Sequence, residues 1–149
     1  GVPEYENKMR ALEQQYPNNV KIKYGFDSQY VKKIYAASDF LLNLASIEAC
    51  GLCPMIANKY GSLPIFYATG GLKDNFTDFK YQNGNGYIFK SYDSVSLNDL
   101  IERALHDYEN KEKINQYIEA GMEENFSIEN CAEKYLEVYK EMCKNIIEL

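Results

Sequence analysis

A single carboxylate stands among small residues between Ala45 and Pro54, in a stretch that reads ASIEACGLCP. Glu48 is the acid, and Gly51 allows the backbone to approach a bound group closely. If a helix begins after Gly51, the N–H groups of residues 51–53 point at any anion above them. The stretch therefore predicts an anion site beside Glu48. Spacing alone slightly favours a simpler interpretation, in which Glu48 only complements a helix dipole and Gly51 only serves a turn.

Two other segments could contribute to the same site. Thr69, Gly70 and Gly71 follow an apolar run, and they either bring the backbone close to a phosphate or sugar or only turn the chain. Phe26 follows another predicted strand, where its ring could stack on a base or sugar. An aromatic side chain in that position more often belongs to the core, so both interpretations remain open.

The four cysteines include a C-x-x-C pair, Cys50 and Cys53, which occurs in redox sites and as half of a zinc site. A structural zinc site would need a second pair. Cys131 and Cys143, with eleven residues between them, do not form one. We therefore predict ordinary buried thiols of a cytoplasmic protein and no metal site.

The elements that would position these residues follow from hydrophobic periodicity. Short apolar runs predict strands at residues 20–24, 40–44, 63–67 and 87–89, and the second of them is expected to be buried on both faces. Helical spacing predicts helices from Pro3 to Tyr16, from a cap at Ser28, from about Pro54 to Tyr60, and throughout the chain after Ser96. Asn83–Gly86 is predicted to be a turn. Alternation of strands and helices is typical of an α/β fold, with a Rossmann-like parallel sheet and helices on both faces.

The domain organisation follows from this order of elements. We expect residues 1–149 to form a single partial domain, with Rossmann-like βα units over 1–95 and C-terminal helices over 96–149. A doubly wound nucleotide-binding half normally begins with a strand, whereas this chain begins with a helix. We therefore expect that the first strand or strands are missing and that the chain, which opens at Gly1 without an initiator Met, is a fragment.

Composition excludes several classes of function. Of the 149 residues, 46% are hydrophobic and 26% charged, which excludes a mainly disordered chain. The net charge of −6, without a basic run, argues against binding to nucleic acids or to anionic membrane surfaces. No apolar stretch approaches the roughly 18 residues that a membrane-spanning helix needs. We therefore expect no nucleic-acid partner and no membrane.

Three short motifs resemble a known family. Glu48–Leu52 reads EACGL, Tyr60–Pro64 reads YGSLP and Ala68–Leu72 reads ATGGL. Bacterial glycogen synthases and plant starch synthases carry S-R-F-E-P-C-G-L-T-Q, Y-G-T-x-P and T-G-G-L at the same spacings. The resemblance extends over essentially the whole chain, and the combination of E-x-C-G-L with T-G-G-L is far more specific than a lone glycine-rich loop.

The resemblance implies the C-terminal, donor-binding half of a two-domain GT-B glucosyltransferase. Such an enzyme transfers glucose from ADP-glucose, or UDP-glucose, to an α-1,4-glucan with retained configuration, and it needs no cofactor. By this resemblance Glu48 is the catalytic carboxylate that hydrogen-bonds the donor glucose near the reacting centre. Cys50, Gly51 and Leu52 line the glucose and diphosphate, and Phe26 lies against the base. The remaining residues expected to bind the donor are Cys53, Thr69, Gly70 and Gly71.

Departures from the family pattern leave alternatives open. Ser46 and Ile47 replace an Arg and a Phe, and Cys53 and Pro54 replace a Thr and a Gln. The family's donor-binding Arg and Lys, and the acceptor surface of its N-terminal domain, would lie upstream of residue 1, so the isolated chain is expected to be inactive. A catalytically degenerate relative acting as a binding module, and another nucleotide-sugar transferase, are the alternatives. The expected location is the cytoplasm, or the plastid for a plant or algal protein.

Overall fold

The chain forms two compact units, Gly1–Val31 and Lys32–Leu149. The computed structural model describes residues 2–147, with side chains as far as residue 144. Residues 1, 148 and 149 of the predicted domain therefore lie outside the described residues. The predicted boundary between residues 95 and 96 stays a prediction.

The first unit is built around helix α1, Pro3–Gln15. Pro3 occupies the first turn, where a missing N–H costs nothing, and Glu4 and Glu6 lie at the positive end of the helix dipole. The predicted helix is confirmed.

The strand predicted at residues 20–24 is wrong. These residues lack strand structure, because a strand requires a neighbouring strand to bond with and the described chain offers them none. They are held by α1 and its end instead. The N–H of Val20 donates to the carbonyl of Tyr16, the N–H of Ile22 donates to Oε1 of Glu13 at 3.1 Å, and the guanidinium of Arg10 lies 4.0 Å from the centre of the Tyr24 ring.

Helix α2, Ser28–Ala37, begins as predicted but with a different cap. Oδ1 of Asp27 accepts hydrogen bonds from the N–H groups of Gln29 and Tyr30. Asp27 is therefore the capping residue, and Ser28 is the first residue of the helix.

A three-stranded parallel sheet, in the order β1-β2-β3, forms the centre of the second unit. The strands are β1 (Phe40–Asn43), β2 (Leu63–Tyr67) and β3 (Tyr87–Phe89). Phe40 pairs with Leu63, and Ile65 pairs with Tyr87. The predicted parallel sheet is confirmed.

The helices of the second unit follow the strands in the expected alternation. They are α3 (Leu52–Lys59), the short α4 (Leu72–Asn75), α5 (Ser94–Glu109), α6 (Lys111–Glu123) and α7 (Ile128–Ile147). The predicted turn lies in the connection to β3, where Asn83 has a positive φ of 61°. The helical character predicted after Ser96 is confirmed.

Strand β1 is less buried than predicted. It lies at an edge of the described sheet, and Leu42 is 49% exposed. The apolar run predicted burial on both faces, but only the central strand β2 achieves it, with every residue before Tyr67 buried. An edge strand has covering neighbours on one side only.

Two apolar clusters cover the two faces of the sheet, because successive side chains of β2 point to opposite faces. Leu63 and Ile65 pack in one cluster against α5 and α6. Phe66 packs in the other with Leu72 of α4 and with Phe76. Helices therefore cover both faces, as predicted.

We expect Tyr87→Phe to lower the free energy of unfolding by about 1 kcal/mol. The hydroxyl of Tyr87, a fully buried residue, donates to Oδ2 of buried Asp107 at 3.1 Å, and the substitution leaves that oxygen without this donor. Urea unfolding monitored by circular dichroism measures the change. Tyr139→Phe, at a 61% exposed position on α7, is the matched control. Equal stability of Tyr87→Phe and the parent chain would contradict the prediction.

Candidate functional site

Two loops meet at the end of the sheet where its parallel strands have their carboxyl ends. The first loop, residues 44–51, joins β1 to α3, and the second loop, residues 68–71, joins β2 to α4. Because the strands are parallel, both loops begin at carboxyl ends of strands, on the same end of the sheet. Eight of the nine predicted site residues lie on these loops or in the first turn of α3. The ninth, Phe26, lies in the first unit.

Glu48 turns its carboxylate towards its own loop. Oε1 accepts hydrogen bonds from the N–H of Gly51 at 3.1 Å and of Cys50 at 3.3 Å. The N–H groups of Gly51 and Cys50, with help from the side chain of Asn43, hold the pKa of the Glu48 carboxyl below its ordinary value. Glu48 is therefore ionised at neutral pH, as a carboxylate that accepts hydrogen bonds and does not supply a proton.

Helix α3 begins with two N–H groups available to a ligand. Gly51 is its N-cap, in a left-handed conformation with φ of 88°, and its own N–H is bonded to Glu48. Pro54 has no N–H. Within residues 2–147 the N–H groups of Leu52 and Cys53 have no hydrogen-bond partner, as expected in the first turn of a helix. Of the amides predicted to be free at residues 51–53, that of Gly51 is thus occupied.

The two loops are bonded to each other through main-chain carbonyls. The N–H of Gly71 donates to the carbonyl of Glu48 at 3.2 Å, and Oγ1 of Thr69 donates to the carbonyl of Ser46 at 3.1 Å. Together these two bonds form the loop clasp.

The glycines of the second loop have a structural role in this clasp. Gly70 has a positive φ of 46°, and a Cβ there would collide with the carbonyl oxygen of Glu48. A Cβ on Gly71 would lie 2.6 Å from the carbonyl oxygen of Ala49. Close approach of the two loops therefore requires glycine at both positions. A direct contact of these glycines with a donor stays a prediction.

Two large apolar side chains of the site are exposed, and so is the ring of Phe26 in the first unit. Ile47, just before Glu48, is 86% exposed, and Leu52 is 62% exposed. Phe26 is 87% exposed, so the interpretation of Phe26 as a core residue is wrong. A stacking role for Phe26 stays a prediction.

The cysteines are also more exposed than predicted. Cys50, Cys53, Cys131 and Cys143 are all free and exposed. The first pair lies in a surface loop and the first turn of α3, and the second pair lies on α7, whose side chains are exposed over residues 131–144. The expectation of buried thiols is therefore wrong. Burial, together with a hydrogen bond to Cys53, raises the pKa of Tyr35 to about 12.

Sequence reasoning missed one side chain and one carbonyl of the site. Asn43 ends β1, and its Oδ1 accepts from the N–H of Ala45 while its side chain also helps to lower the pKa of Glu48. The signal in the sequence was that Asn43 is a polar residue at the end of an apolar strand. The carbonyl of Ser46, which binds Thr69, gave no signal, because any residue supplies a carbonyl.

Two negative findings apply to the described part of the chain. Across residues 2–147 no three His, Cys, Asp or Glu side chains are grouped so that they could hold a metal ion. Over the same residues no helix combines the length and hydrophobicity needed to cross a membrane.

A comparison with protein families gives a match that covers most of the chain. Residues 1–121, which include both loops, match the family described as "Glycosyl transferases group 1". The chain belongs to the group 1 glycosyltransferases. Glu48, Thr69 and Gly71 of the loop clasp lie in the E-x-C-G-L and T-G-G-L motifs of this group 1 glycosyltransferase, and Ser46 lies two residues before the first motif.

Curated relatives of this group 1 glycosyltransferase are glycogen synthases. The chain is 40% identical over 136 residues to the glycogen synthase of Thermodesulfovibrio yellowstonii, covering 91% of the chain and 27% of that protein. It is 38% identical over 145 residues to the Lactococcus lactis enzyme, covering 95% and 30%, and 41% identical over 139 residues to the Acholeplasma laidlawii enzyme, covering 91% and 29%. The chain thus spans less than a third of these relatives.

Solved structures show the same fold. The catalytic domain of starch synthase IV from Arabidopsis thaliana, bound to ADP and acarbose, superposes with a TM-score of 0.83 at 34% identity, covering 94% of this chain and 30% of that one. Sucrose-phosphate synthase from Thermosynechococcus elongatus gives a TM-score of 0.66 at 20% identity over 95% and 35% of the chains, a likeness of fold alone. The predicted GT-B type of Rossmann-like fold is confirmed.

Proposed function

We propose that this chain is the donor-binding domain of a glucosyltransferase that extends an α-1,4-glucan from ADP-glucose with retention of configuration. The relatives at 38–41% identity are glycogen synthases, which supports the reaction class. The glucan would bind to a second domain outside this chain, and the cytoplasm is the proposed location. The isolated chain is expected to be inactive.

One observation carries this proposal: an ionised carboxylate is held beside a helix N-terminus that has two unpartnered N–H groups. Departure of a diphosphate places growing negative charge where such donors and the helix dipole stabilise it. The N–H groups of Leu52 and Cys53 are suited to that task. The positive end of α3 would add to their effect.

The proposed role of Glu48 is to orient the sugar. Its carboxylate accepts hydrogen bonds and is fixed by two N–H groups, so it would receive bonds from the glucose hydroxyls without reorganising. Its negative charge would also stabilise positive charge that develops at the sugar carbon. A proton-donating role is not proposed, because the pKa of Glu48 is lowered.

The proposed nucleotide is ADP in preference to UDP. The starch synthase IV catalytic domain that this chain resembles was solved bound to ADP, which supports the choice. Phe26 is the proposed stacking residue for the base, and its exposed ring leaves an aromatic face available.

A catalytically degenerate relative, which keeps the fold and acts as a binding or interaction module for another molecule, is the second candidate. The first turn of α3 offers one N–H fewer than it would without Pro54, and the thiol of Cys53 is a weaker donor than the hydroxyl of the Thr in the family pattern. Both features weaken the expected hold on a diphosphate. This candidate predicts a folded domain without measurable affinity for the donor.

We expect calorimetric titration of the chain, with folding checked by circular dichroism, to give weak binding of ADP and ADP-glucose and weaker binding of UDP and UDP-glucose. Phe26→Ala should lower the affinity for both nucleotides. Phe89→Leu changes a buried core residue and is the control that shows how altered folding alone affects the affinity. If neither the folded chain nor the full-length protein binds any of the four ligands, the proposed function is wrong and the degenerate relative is favoured.

A further inference from the structure

A cavity of about 500 Å³ lies next to the second loop, between the ends of β2 and β3 and the segment from Leu72 to Tyr81. This volume is within the roughly 300–1,000 Å³ typical of small-molecule sites. Three lysines, Lys73, Lys80 and Lys90, are among the residues that line it. None of the nine predicted site residues lines it, although Ala68 of the second loop does.

The three lysines concentrate positive charge in an acidic chain. Among the side chains that the structure describes, none of the three ammonium groups lies within 4.0 Å of a carboxylate. The whole chain carries a net charge of −6, so three unneutralised cations around one cavity run against its overall balance. Like charges brought together repel, and an anion bound between them removes that cost.

The one acid that lines the cavity does not neutralise the lysines. Asp78 is buried, and its two oxygens lie 2.9 and 3.0 Å from Nη2 of Arg103. Oδ1 also accepts from the N–H of Lys80, and Oδ2 accepts from the N–H of Ile88. The charge of Asp78 is therefore balanced by Arg103 and by two backbone N–H donors, and not by the lysine ammonium groups.

Part of the cavity lining is apolar. Leu72, Phe76 and Ile88 contribute to it, and Leu72 and Phe76 are buried. The half-exposed ring of Tyr81 also lines the cavity, with Nζ of Lys80 at 5.1 Å from its centre. A ligand that fills this space has an anionic end for the lysines and a ring-sized body for the wall. Lysine binds phosphate as a point charge without a fixed geometry, which suits three flexible and exposed lysine side chains.

We propose that this cavity binds a small phosphate ester with a ring-sized body, with Lys73, Lys80 and Lys90 on the phosphate and Tyr81 against the ring. The body is a sugar or an aromatic ring, which share the same anchoring group. The site is separate from Glu48 and α3, and its occupancy does not rest on the proposed glucosyltransferase function.

The test is calorimetric titration of the chain with phenyl phosphate, glucose 1-phosphate, inorganic phosphate and phenol. We expect at least one ester to bind more tightly than inorganic phosphate and phenol, with an affinity that falls as salt rises. The ester that binds more tightly shows whether the ring of the ligand is aromatic, as in phenyl phosphate, or a sugar, as in glucose 1-phosphate. Equal binding of all phosphates would overturn the assignment of an ester, and no binding of any phosphate would overturn the site.

The variant that tests the lysines carries Lys73→Gln, Lys80→Gln and Lys90→Gln. It should weaken ester binding at least tenfold. The single variant Lys90→Gln, which removes one surface charge only, should weaken binding severalfold and protects the test against a triple variant that fails to fold. Unchanged affinity in the folded triple variant would overturn the proposal.

A matched control carries the same change of charge elsewhere, through Lys33→Gln, Lys134→Gln and Lys140→Gln, all at exposed positions. It should bind the ester as the parent chain does, and an equal loss in this control would show only a general charge effect and overturn the site. Glu48→Gln should also leave ester binding unchanged. That result separates the cavity from the donor site, so failure of one proposal does not imply failure of the other.

Discussion

Replacing Glu48 with glutamine in the full-length protein is expected to lower kcat about 10²- to 10⁴-fold, the range typical of losing a positioned catalytic side chain. The amide oxygen of glutamine can still accept the N–H groups of Gly51 and Cys50, so the first loop keeps its shape. What is lost is the negative charge beside the sugar. Steady-state kinetics with ADP-glucose and a glucan acceptor measure the effect, with circular dichroism as the test of folding.

Two further variants show whether the loss of kcat in Glu48→Gln comes from the missing charge at this position. Glu48→Ala removes both the charge and the acceptor of the two loop bonds, so its kcat should fall at least as far as that of Glu48→Gln. Glu102→Gln changes the same charge at an exposed position of α5 and should leave kcat unaltered. Turnover within a few-fold of the parent enzyme in Glu48→Gln would refute the assigned role.

The lowered pKa of Glu48 also fixes the sign of its pH dependence. Because its N–H partners favour the ionised form, the carboxylate stays charged until the pH falls below its ordinary value of 4.5. Activity and loop stability that depend on Glu48 are thus present at neutral pH and are lost only as the pH falls through the lowered pKa.

Gly70→Ala is expected to lower the free energy of unfolding by about 2–4 kcal/mol, and it should weaken donor binding as well. The new Cβ meets the carbonyl oxygen of Glu48, a main-chain atom that cannot rotate away, at a position whose φ is already positive. The two loops must therefore separate. Urea unfolding and ADP titration measure the two effects.

Alanine variants of two other glycines distinguish backbone strain from steric collision as causes of the stability lost in Gly70→Ala. Gly25 has a positive φ of 78°, but a Cβ added there would meet nothing within 4 Å, so Gly25→Ala reports backbone strain alone, about 1 kcal/mol. Gly71 has an ordinary φ of −62°, so Gly71→Ala reports, without backbone strain, the collision with the backbone of Ala49 and Cys50. A Gly70→Ala variant no less stable than Gly25→Ala would argue against the loop clasp.

The sequence predicts those elements whose apolar residues are covered by other parts of the described chain. Strands β2 and β3 and helix α3 are found where apolar runs and the glycine at position 61 indicated them. The strand at residues 20–24 fails, because alternation describes a surface and does not supply the neighbouring strand that must cover it. The burial of Leu42 fails for the same reason.

The site is predicted by its motifs but not in its internal bonding. Spacing placed Glu48 before a helix N-terminus, yet it did not indicate that the carboxylate binds the amides of Cys50 and Gly51 or that Gly71 binds the carbonyl of Glu48. Such bonds depend on backbone angles at the loop, which residue types only restrict. Exposure of Phe26 could not be predicted either, because it depends on which chain segments surround the ring.

The loop clasp has a consequence for how such a site can change over evolution. Its acceptors are the carbonyl oxygens of Ser46 and Glu48, which exist whatever side chain those positions carry. Substitution at position 46, 47 or 49 can therefore change the side chain that the first loop presents without breaking the bonds that hold the two loops together. Ser46 and Ile47, the two positions of this segment that depart from the glycogen synthase pattern, can thus vary at little cost to the fold.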